Sequence, residues 1–131
     1  MRAERKAPLE RRLAAIAKGL REVVERTRPG AAAVEEVFVK ADPRAALAVG
    51  HARGAALTVL GEAGIPVTGY PSASIKKSLT GDGRADKTRV GRMVALLLSL
   101  EAIPEPPDAT DALAAAIAHA LGLEAQVLRG L

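Results

Sequence analysis

Two groups of carboxylates are placed where they could do chemistry. The stretch AAAVEEVFVK, residues 31–40, carries Glu35 and Glu36 inside the most strand-like apolar run of the chain. Near the other end, Asp108 and Asp111 lie three residues apart in PDATDA. An unpaired carboxylate in an apolar layer costs several kcal/mol of desolvation, so carboxylates in such places are normally paired, neutralised or bound to a metal.

The two glutamates cannot serve the same site if the stretch is an ideal strand. Successive strand residues point to opposite faces, so Glu35 shares a face with Val37, and Glu36 shares a face with Phe38. Periodicity does not say which glutamate points into a site. The alternative is that the strand ends here and both acids are solvated.

The two aspartates favour the start of a helix. Residues three apart occupy neighbouring positions on one helix face, so Asp108 and Asp111 can project to a common point. The alternative is purely structural, because Asp108 is a good N-cap after two prolines and acids are favoured in the first turn. Combined with a strand glutamate, however, the pair is typical of sites that hold two divalent cations for phosphoryl chemistry.

The elements that must position these residues follow from hydrophobic spacing. The pattern predicts an α/β arrangement in the order helix, strand, helix, strand, helix, helix, helix, with the strands parallel through a helical crossover. A sheet of two strands is thin, which indicates that further strands are missing. The first five elements are predicted at 8–28, 31–39, 43–63, 65–70 and 72–79. The sixth is predicted to start near Asp86, to include apolar positions up to Leu100 and to end before Pro104, and the last spans 108–121 with Gly122 as its C-cap.

Composition narrows the classes of function. A chain of 131 residues with 49% hydrophobic residues fits one folded domain, and its apolar runs are far shorter than the roughly 20 residues of a membrane-spanning helix. The absence of cysteine excludes disulfides and thiolate metal sites and favours Mg²⁺, or Mn²⁺, on carboxylates. A net charge of +4 is compatible with a polyanionic partner, and two aromatic residues argue against a stacking platform for single strands.

Three segments of the chain carry a family resemblance. AVEEVFVKADPRAALAVGHARG, GIPVTGYPSASIKKSLTGDGRADKTRVGRMVALLL and PDATDALAAAIAHA occur in that order and together resemble the RuvC-type Holliday junction resolvases. The resemblance implies a ribonuclease-H-like three-layer fold and a cytoplasmic homodimer that nicks four-way DNA junctions symmetrically with Mg²⁺ in recombination and repair. It also implies the RuvA–RuvB branch-migration complex as a partner and gives no reason to expect a membrane.

The resemblance assigns roles to individual residues. Glu35, Asp108 and Asp111 match three of the four acidic positions of the family, so they are expected to be catalytic metal ligands. Lys76 and Lys87 match two lysines that act near the scissile phosphate rather than on the metals, a fitting task for a point charge.

Further residues are expected to contact DNA or to have structural roles. Phe38 matches an aromatic residue that engages bases at the junction, and Arg44, Arg53 and Arg84 are weaker candidates for backbone contact, as exposed basic residues are by default merely solvated. His51 and His119 are expected to be packed or hydrogen-bonded rather than metal ligands.

The sequence departs from the family pattern at its start. The family's first acid lies on an opening strand of a three-strand meander, whereas this chain has no aspartate before Asp42. Three such strands with their turns need about 25–35 residues. We therefore expect residues 1–131 to form a single, N-terminally incomplete nuclease domain with impaired cleavage. A misassigned start, a fragment and a shortened gene are all open explanations.

Two other functions stay open at the level of sequence. A non-catalytic DNA-binding or dimerising remnant would bind junctions in a salt-dependent way without cleaving them. A different ribonuclease-H-like nuclease would prefer another nucleic acid, so comparing junction, duplex and RNA–DNA hybrid would identify it. A plain α/β domain without a nucleic-acid role would do neither.

Overall fold

The computed structural model describes residues 6–36 and 42–130, except for the side chains of residues 124–127. The predicted order of elements and the α/β class, with two parallel strands, are confirmed. None of the described helices is long and apolar enough to cross a membrane. The elements are α1 (Leu9–Thr27), β1 (Ala32–Glu36), α2 (Pro43–Glu62), β2 (Val67–Pro71), α3 (Ser72–Thr80), α4 (Lys87–Leu97) and α5 (Pro107–Arg129).

Local signals fix several helix ends. Asp42 caps α2 by accepting a hydrogen bond from the backbone N–H of Arg44 at 3.0 Å, and Asp86 caps α4 by accepting from the N–H of Arg89 at 2.8 Å. The helix α3 ends at Gly81, whose φ of 81° is a left-handed conformation that glycine adopts without strain. Polar caps and a glycine therefore frame the turn between α3 and α4.

Two predicted helix ends were wrong. Gly122 does not cap α5, because the helix continues to Arg129 and Gly122 lacks the positive φ of a glycine cap. A glycine inside a helix costs only about 1 kcal/mol relative to alanine, so the helix tolerates it. The helix α4 ends at Leu97, short of the predicted helical position Leu100, and Ser99 has a φ of 56° that interrupts any continuation.

The chain divides into two compact units, and the first contains α1 and α2. The apolar stripe of α1 is half-buried against α2, and an ion pair between Arg21 and Glu62, 3.4 Å apart, joins the two helices at the surface. Among the described residues of this unit, the buried apolar side chains are near the end of α2 and just after it: Val59, Leu60 and Ile65.

The second unit contains the two-stranded sheet and helices α3, α4 and α5. Val94 is completely buried at the centre of its core. Small alanine side chains on α5 let the neighbouring helices approach closely, which compensates for the lack of large aromatic residues. The core residues are Ile75, Leu79, Ala85, Val90, Val94, Ala114, Ala115 and Ala118.

The two faces of the sheet have different surroundings within this unit. Ala33 and Tyr70 pack against the helical core, and strand alternation puts Glu35 on the same face as Ala33. Glu36 lies on the opposite face, where its side chain covers Gly69 of β2. The expectation that the two glutamates separate to opposite faces is therefore confirmed, and Glu35 is the one on the side of α5.

Candidate functional site

A cavity of about 450 Å³ opens in the second unit beside the end of β1. Its walls come from β1, α3, α4, α5 and the segment that precedes α5. Several lining positions are apolar, which lowers the local dielectric around the charged ones. The charged residues that line the cavity are Glu35, Lys76, Lys87, Glu105 and Asp111.

The acidic wall is held in place by the start of α5. Thr110 is buried, 6% exposed, and its hydroxyl donates to the carbonyl oxygen of Pro104 at 2.7 Å. The N–H of Ala109 donates to the carbonyl oxygen of Pro106 at 2.9 Å. These bonds join the proline-rich segment to the first turn of α5, so Glu105 and Asp111 are supported on one rigid unit.

The basic wall comes from two helices. Lys76 is half-buried on α3, and Lys87 is the first residue of α4, directly after its cap Asp86. Both lysines line the cavity that Glu35 and Asp111 also line. The structure therefore brings together four of the five residues predicted to be catalytic.

Asp108 is the one predicted catalytic residue that does not line the cavity. It is exposed in the first turn of α5 and does not line the cavity, although it precedes Asp111 by nearly one helical turn. Within residues 6–36 and 42–130, no three Asp, Glu or His side chains lie close enough together to hold a metal ion. The carboxylates in the positions observed are thus not a complete metal cluster.

The predicted DNA-contacting residues have separate locations. Arg44 and Arg53 are on α2, in the first unit, where Arg44 is exposed and Arg53 half-buried. Arg84 is exposed in the turn between α3 and α4 and does not line the cavity. Phe38 lies outside the described residues, so its predicted contact with bases stays a prediction.

The two histidines differ in environment. The Nδ1 atom of His119 is 2.6 Å from the hydroxyl of Tyr70, and the two rings meet edge to face with centroids 5.8 Å apart. This confirms the expectation that His119 is hydrogen-bonded, and the bond joins β2 to α5. His51 is half-buried on α2.

One charged residue of the cavity was missed at the level of sequence. Glu105 lies in PEPP, which the composition describes only as a stiff connector. The sequence did place Glu105 only three residues before Asp108. A residue so close to the start of α5 must lie near the carboxylates of that helix, and this proximity could have identified it. The hydroxyl residues Ser72 and Thr88 also line the cavity and have no sequence signature.

A comparison with models of known protein families identifies the family of this chain. The family model described as crossover junction endodeoxyribonuclease RuvC matches residues 1–119. The chain belongs to the RuvC family. Among curated RuvC proteins, that of Halorhodospira halophila is 51% identical over 120 residues, covering 92% of this chain and 71% of the relative. The RuvC of Desulforamulus reducens is 46% identical over 120 residues, covering 92% of this chain and 74% of the relative.

Solved RuvC structures have the same fold. The RuvC of Thermus thermophilus matches with a TM-score of 0.89 and 37% identity, covering 96% of this chain and 76% of that chain. The same RuvC in complex with Holliday junction substrate matches with a TM-score of 0.87 and 35% identity, covering 95% of this chain and 76% of that chain. The RuvC-type fold expected from the three sequence segments is therefore confirmed.

Proposed function

We propose that this RuvC-family chain is a structure-specific endonuclease that acts on four-way DNA junctions. The observation that carries the proposal is one cavity lined by Glu35, Asp111, Lys76 and Lys87 in a chain of this family. Acids that bind a hard cation and lysines that contact phosphate are the two components of metal-assisted phosphodiester hydrolysis. The junction is proposed as substrate because a related RuvC has been solved with one.

The donor set fits a magnesium ion that is shared with the substrate. Mg²⁺ is commonly bound by one or two carboxylates together with substrate phosphates, rather than by a cage made entirely of protein. Glu35 and Asp111 would hold it at the cavity, and Asp108 is the nearest further carboxylate on α5. When bound, Mg²⁺ or Mn²⁺ would activate water and neutralise charge on the phosphate.

The lysines would act on the DNA and not on the metal. Lys76 and Lys87 share the cavity with the two carboxylates, so a phosphate held there would meet positive charge from α3 and α4. Each phosphate contact by a lysine releases condensed counterions and makes binding dependent on salt. We therefore assign the two lysines to positioning and neutralising the scissile phosphate.

A panel of substrates tests the proposed activity. With Mg²⁺, a synthetic four-way junction should be nicked faster than a linear duplex of the same sequence and faster than an RNA–DNA hybrid. Asp111→Asn should abolish nicking while junction binding persists. Equal cleavage of all three substrates would overturn junction specificity, and preference for the hybrid would indicate a different nuclease of the ribonuclease-H-like group.

Metal binding can be measured apart from cleavage. Electron paramagnetic resonance of Mn²⁺ should report weak binding by the free chain and tighter binding when an uncleavable junction is present. Both Glu35→Gln and Asp111→Asn should weaken the binding seen with DNA. Binding that is unchanged by either substitution would contradict the assigned ligands.

A second candidate is junction binding without cleavage. It is favoured by the finding that no three acidic or histidine side chains in the described part of the chain form a metal-binding group. Under this candidate, the junction is bound in a salt-dependent way, no nicks form with Mg²⁺ or Mn²⁺, and Asp108→Asn leaves affinity unchanged.

By family relationship we also propose a homodimer that works with the RuvA–RuvB branch-migration complex.

A further inference from the structure

The turn between α3 and α4 is held by a side-chain network centred on Asp82 and Arg89. The Oδ1 atom of Asp82 accepts from the backbone N–H of Arg84 at 2.9 Å, and its Oδ2 atom accepts from Nη1 of Arg89 at 3.1 Å. The second nitrogen, Nη2 of Arg89, donates to the carbonyl oxygen of Thr80 at 3.4 Å. The guanidinium of Arg89 therefore joins the start of α4 to the end of α3.

Backbone contacts extend this network to the position of the first lysine. The hydroxyl of Thr80 accepts from the N–H of Asp82 at 3.1 Å and lies 2.8 Å from the carbonyl oxygen of Lys76. The turn also lies close to the start of α3, since a methyl group built on Gly83 would be 3.3 Å from the carbonyl oxygen of Ala73. The turn is thus packed against α3 at both ends of that helix.

The network lies between the two lysines of the cavity. Lys76 is one helical turn before Thr80, and Lys87 is two residues before Arg89. Both lysines line the cavity, whereas Asp82 and Arg89 do not. Neither residue of the pair is therefore in a place to touch a substrate bound there.

The energetic effect of the pair on folding is expected to be small. The side chains of Asp82 and Arg89 are 47% and 55% exposed, and exposed ion pairs contribute little to the free energy of unfolding. The guanidinium of Arg89 nevertheless bonds two groups outside α4, the carboxylate of Asp82 in the turn and the carbonyl oxygen of Thr80 at the end of α3. These bonds lie on the chain between Lys76 and Lys87, so they can set the separation of the two lysines.

We propose that Asp82 and Arg89 are positioning residues that hold Lys76 and Lys87 together on the basic wall of the cavity. This inference rests on the proposed function, because the lysines are taken to contact a DNA phosphate. Without the pair, the core contacts of Ile75 and Val94 still hold α3 against α4, but the turn between the helices is no longer fixed, and the two lysines engage the backbone together less often. Junction affinity and its salt dependence should both fall.

The matched control is a second exposed ion pair, which lies in the first unit. Arg21 and Glu62 are 3.4 Å apart with side chains 51% and 60% exposed, and they join α1 to α2. Asp82→Ala and Glu62→Ala each remove one exposed negative charge and one ion pair. The two variants therefore change the net charge and the number of ion pairs equally.

The first measurement is the affinity for a four-way junction as a function of salt. The association constant for the junction falls as salt rises, and its logarithm is plotted against the logarithm of the salt concentration. Lys76→Ala and Lys87→Ala should each make the slope of this plot less steep by about 0.9. Asp82→Ala should reduce the slope by a similar amount although both lysines are present, and Glu62→Ala should not. In the double variant Lys76→Ala/Lys87→Ala, adding Asp82→Ala should change nothing. The inference would be overturned if Asp82→Ala changed the salt slope equally in the unsubstituted chain and in the double lysine variant. It would also be overturned if Asp82→Ala and Glu62→Ala had the same effect on the slope.

A second measurement needs no DNA. Arg89→Gln loses the planar fork that bonds Asp82 and Thr80 together and adds no new amine that could react with a cross-linker. A short lysine-reactive cross-linker, read by mass spectrometry, should give less of the Lys76–Lys87 product in this variant and the same amount in Glu62→Ala. Unchanged cross-linking would contradict the positioning role. Reduced cross-linking in a protein that does not bind junctions would instead keep the positioning role and reject the proposed function.

Discussion

Glu36 occupies the space that a side chain at Gly69 would need. A methyl group built on Gly69 would lie 3.1 Å from Cγ and Cδ of Glu36 and would overlap its Oε1 atom. A side chain at this strand position would therefore require the Glu36 side chain to move. This contact gives Glu36 a structural role, in contrast to the catalytic role proposed for Glu35.

We predict that Gly69→Ala destabilises the protein. Overpacking in a tight core costs about 1–3 kcal/mol. Because the flexible end of Glu36 can move, the cost here should be near the low end, about 1 kcal/mol, so the midpoint of urea unfolding should fall. Adding Glu36→Ala should relieve most of the loss, because the clashing side chain is then absent. Gly30→Ala is the matched control, since a methyl group there meets no described atom within 4 Å. A similar loss in both glycine variants would refute this explanation.

At the level of single residues, the sequence predicted the lysines and most of the acids of the cavity but not Glu105. Glu35 and Asp111 could be identified because they match the acidic positions of the family, whereas periodicity alone did not say which of Glu35 and Glu36 points into a site. Glu105 belongs to a proline-rich segment without a period, and its direction depends on the bond between Thr110 and the carbonyl oxygen of Pro104. No local pattern encodes such a tertiary contact.

Among the elements, α4 depends on its N-cap. We predict that Asp86→Ala lowers the free energy of unfolding by about 1 kcal/mol, because the N–H of Arg89 loses its acceptor. Asp86→Asn should cost less, since asparagine caps helices about as well as aspartate. Thermal and urea unfolding of the two variants measure the difference. Equal destabilisation by both substitutions would mean that the charge at this position, and not the capping bond, is what matters.

Element order and most starting points followed from sequence, but two ends did not. Prolines and aspartates before helices are local signals, so the starts of α2 and α4 were predicted closely. The end of α4 was placed too late because Leu100 continues the apolar spacing, although it lies beyond the helix and is 43% exposed. The period alone cannot distinguish a helix that continues from an apolar turn that follows it.

For the whole molecule, the exposed face of α2 is the surface we expect a second copy to cover. Leu47 is 61% exposed there, and methyl groups built on Gly50 and Gly54, three and seven residues later on the same helix face, would meet no described atom within 4 Å. Exposed apolar side chains beside small residues allow two helices to pack closely.

We predict that Leu47→Glu converts a dimer into monomers in sedimentation equilibrium. Leu96→Glu is the matched control, because Leu96 is 71% exposed on α4, in the second unit. Loss of the dimer in the control but not in Leu47→Glu would move the interface to the second unit. A monomeric unsubstituted chain would reject the dimer.

The most direct test of the cavity as the active site compares two adjacent glutamates in one cleavage assay. Glu35 and Glu36 have the same charge and neighbouring positions in β1, but only Glu35 lines the cavity. With Mg²⁺ and a four-way junction, Glu35→Gln should reduce the rate of nicking by about 100-fold or more while binding persists. Glu36→Gln should nick at close to the rate of the unsubstituted chain. Equal rates for the two variants would contradict the assignment of the cavity as the active site.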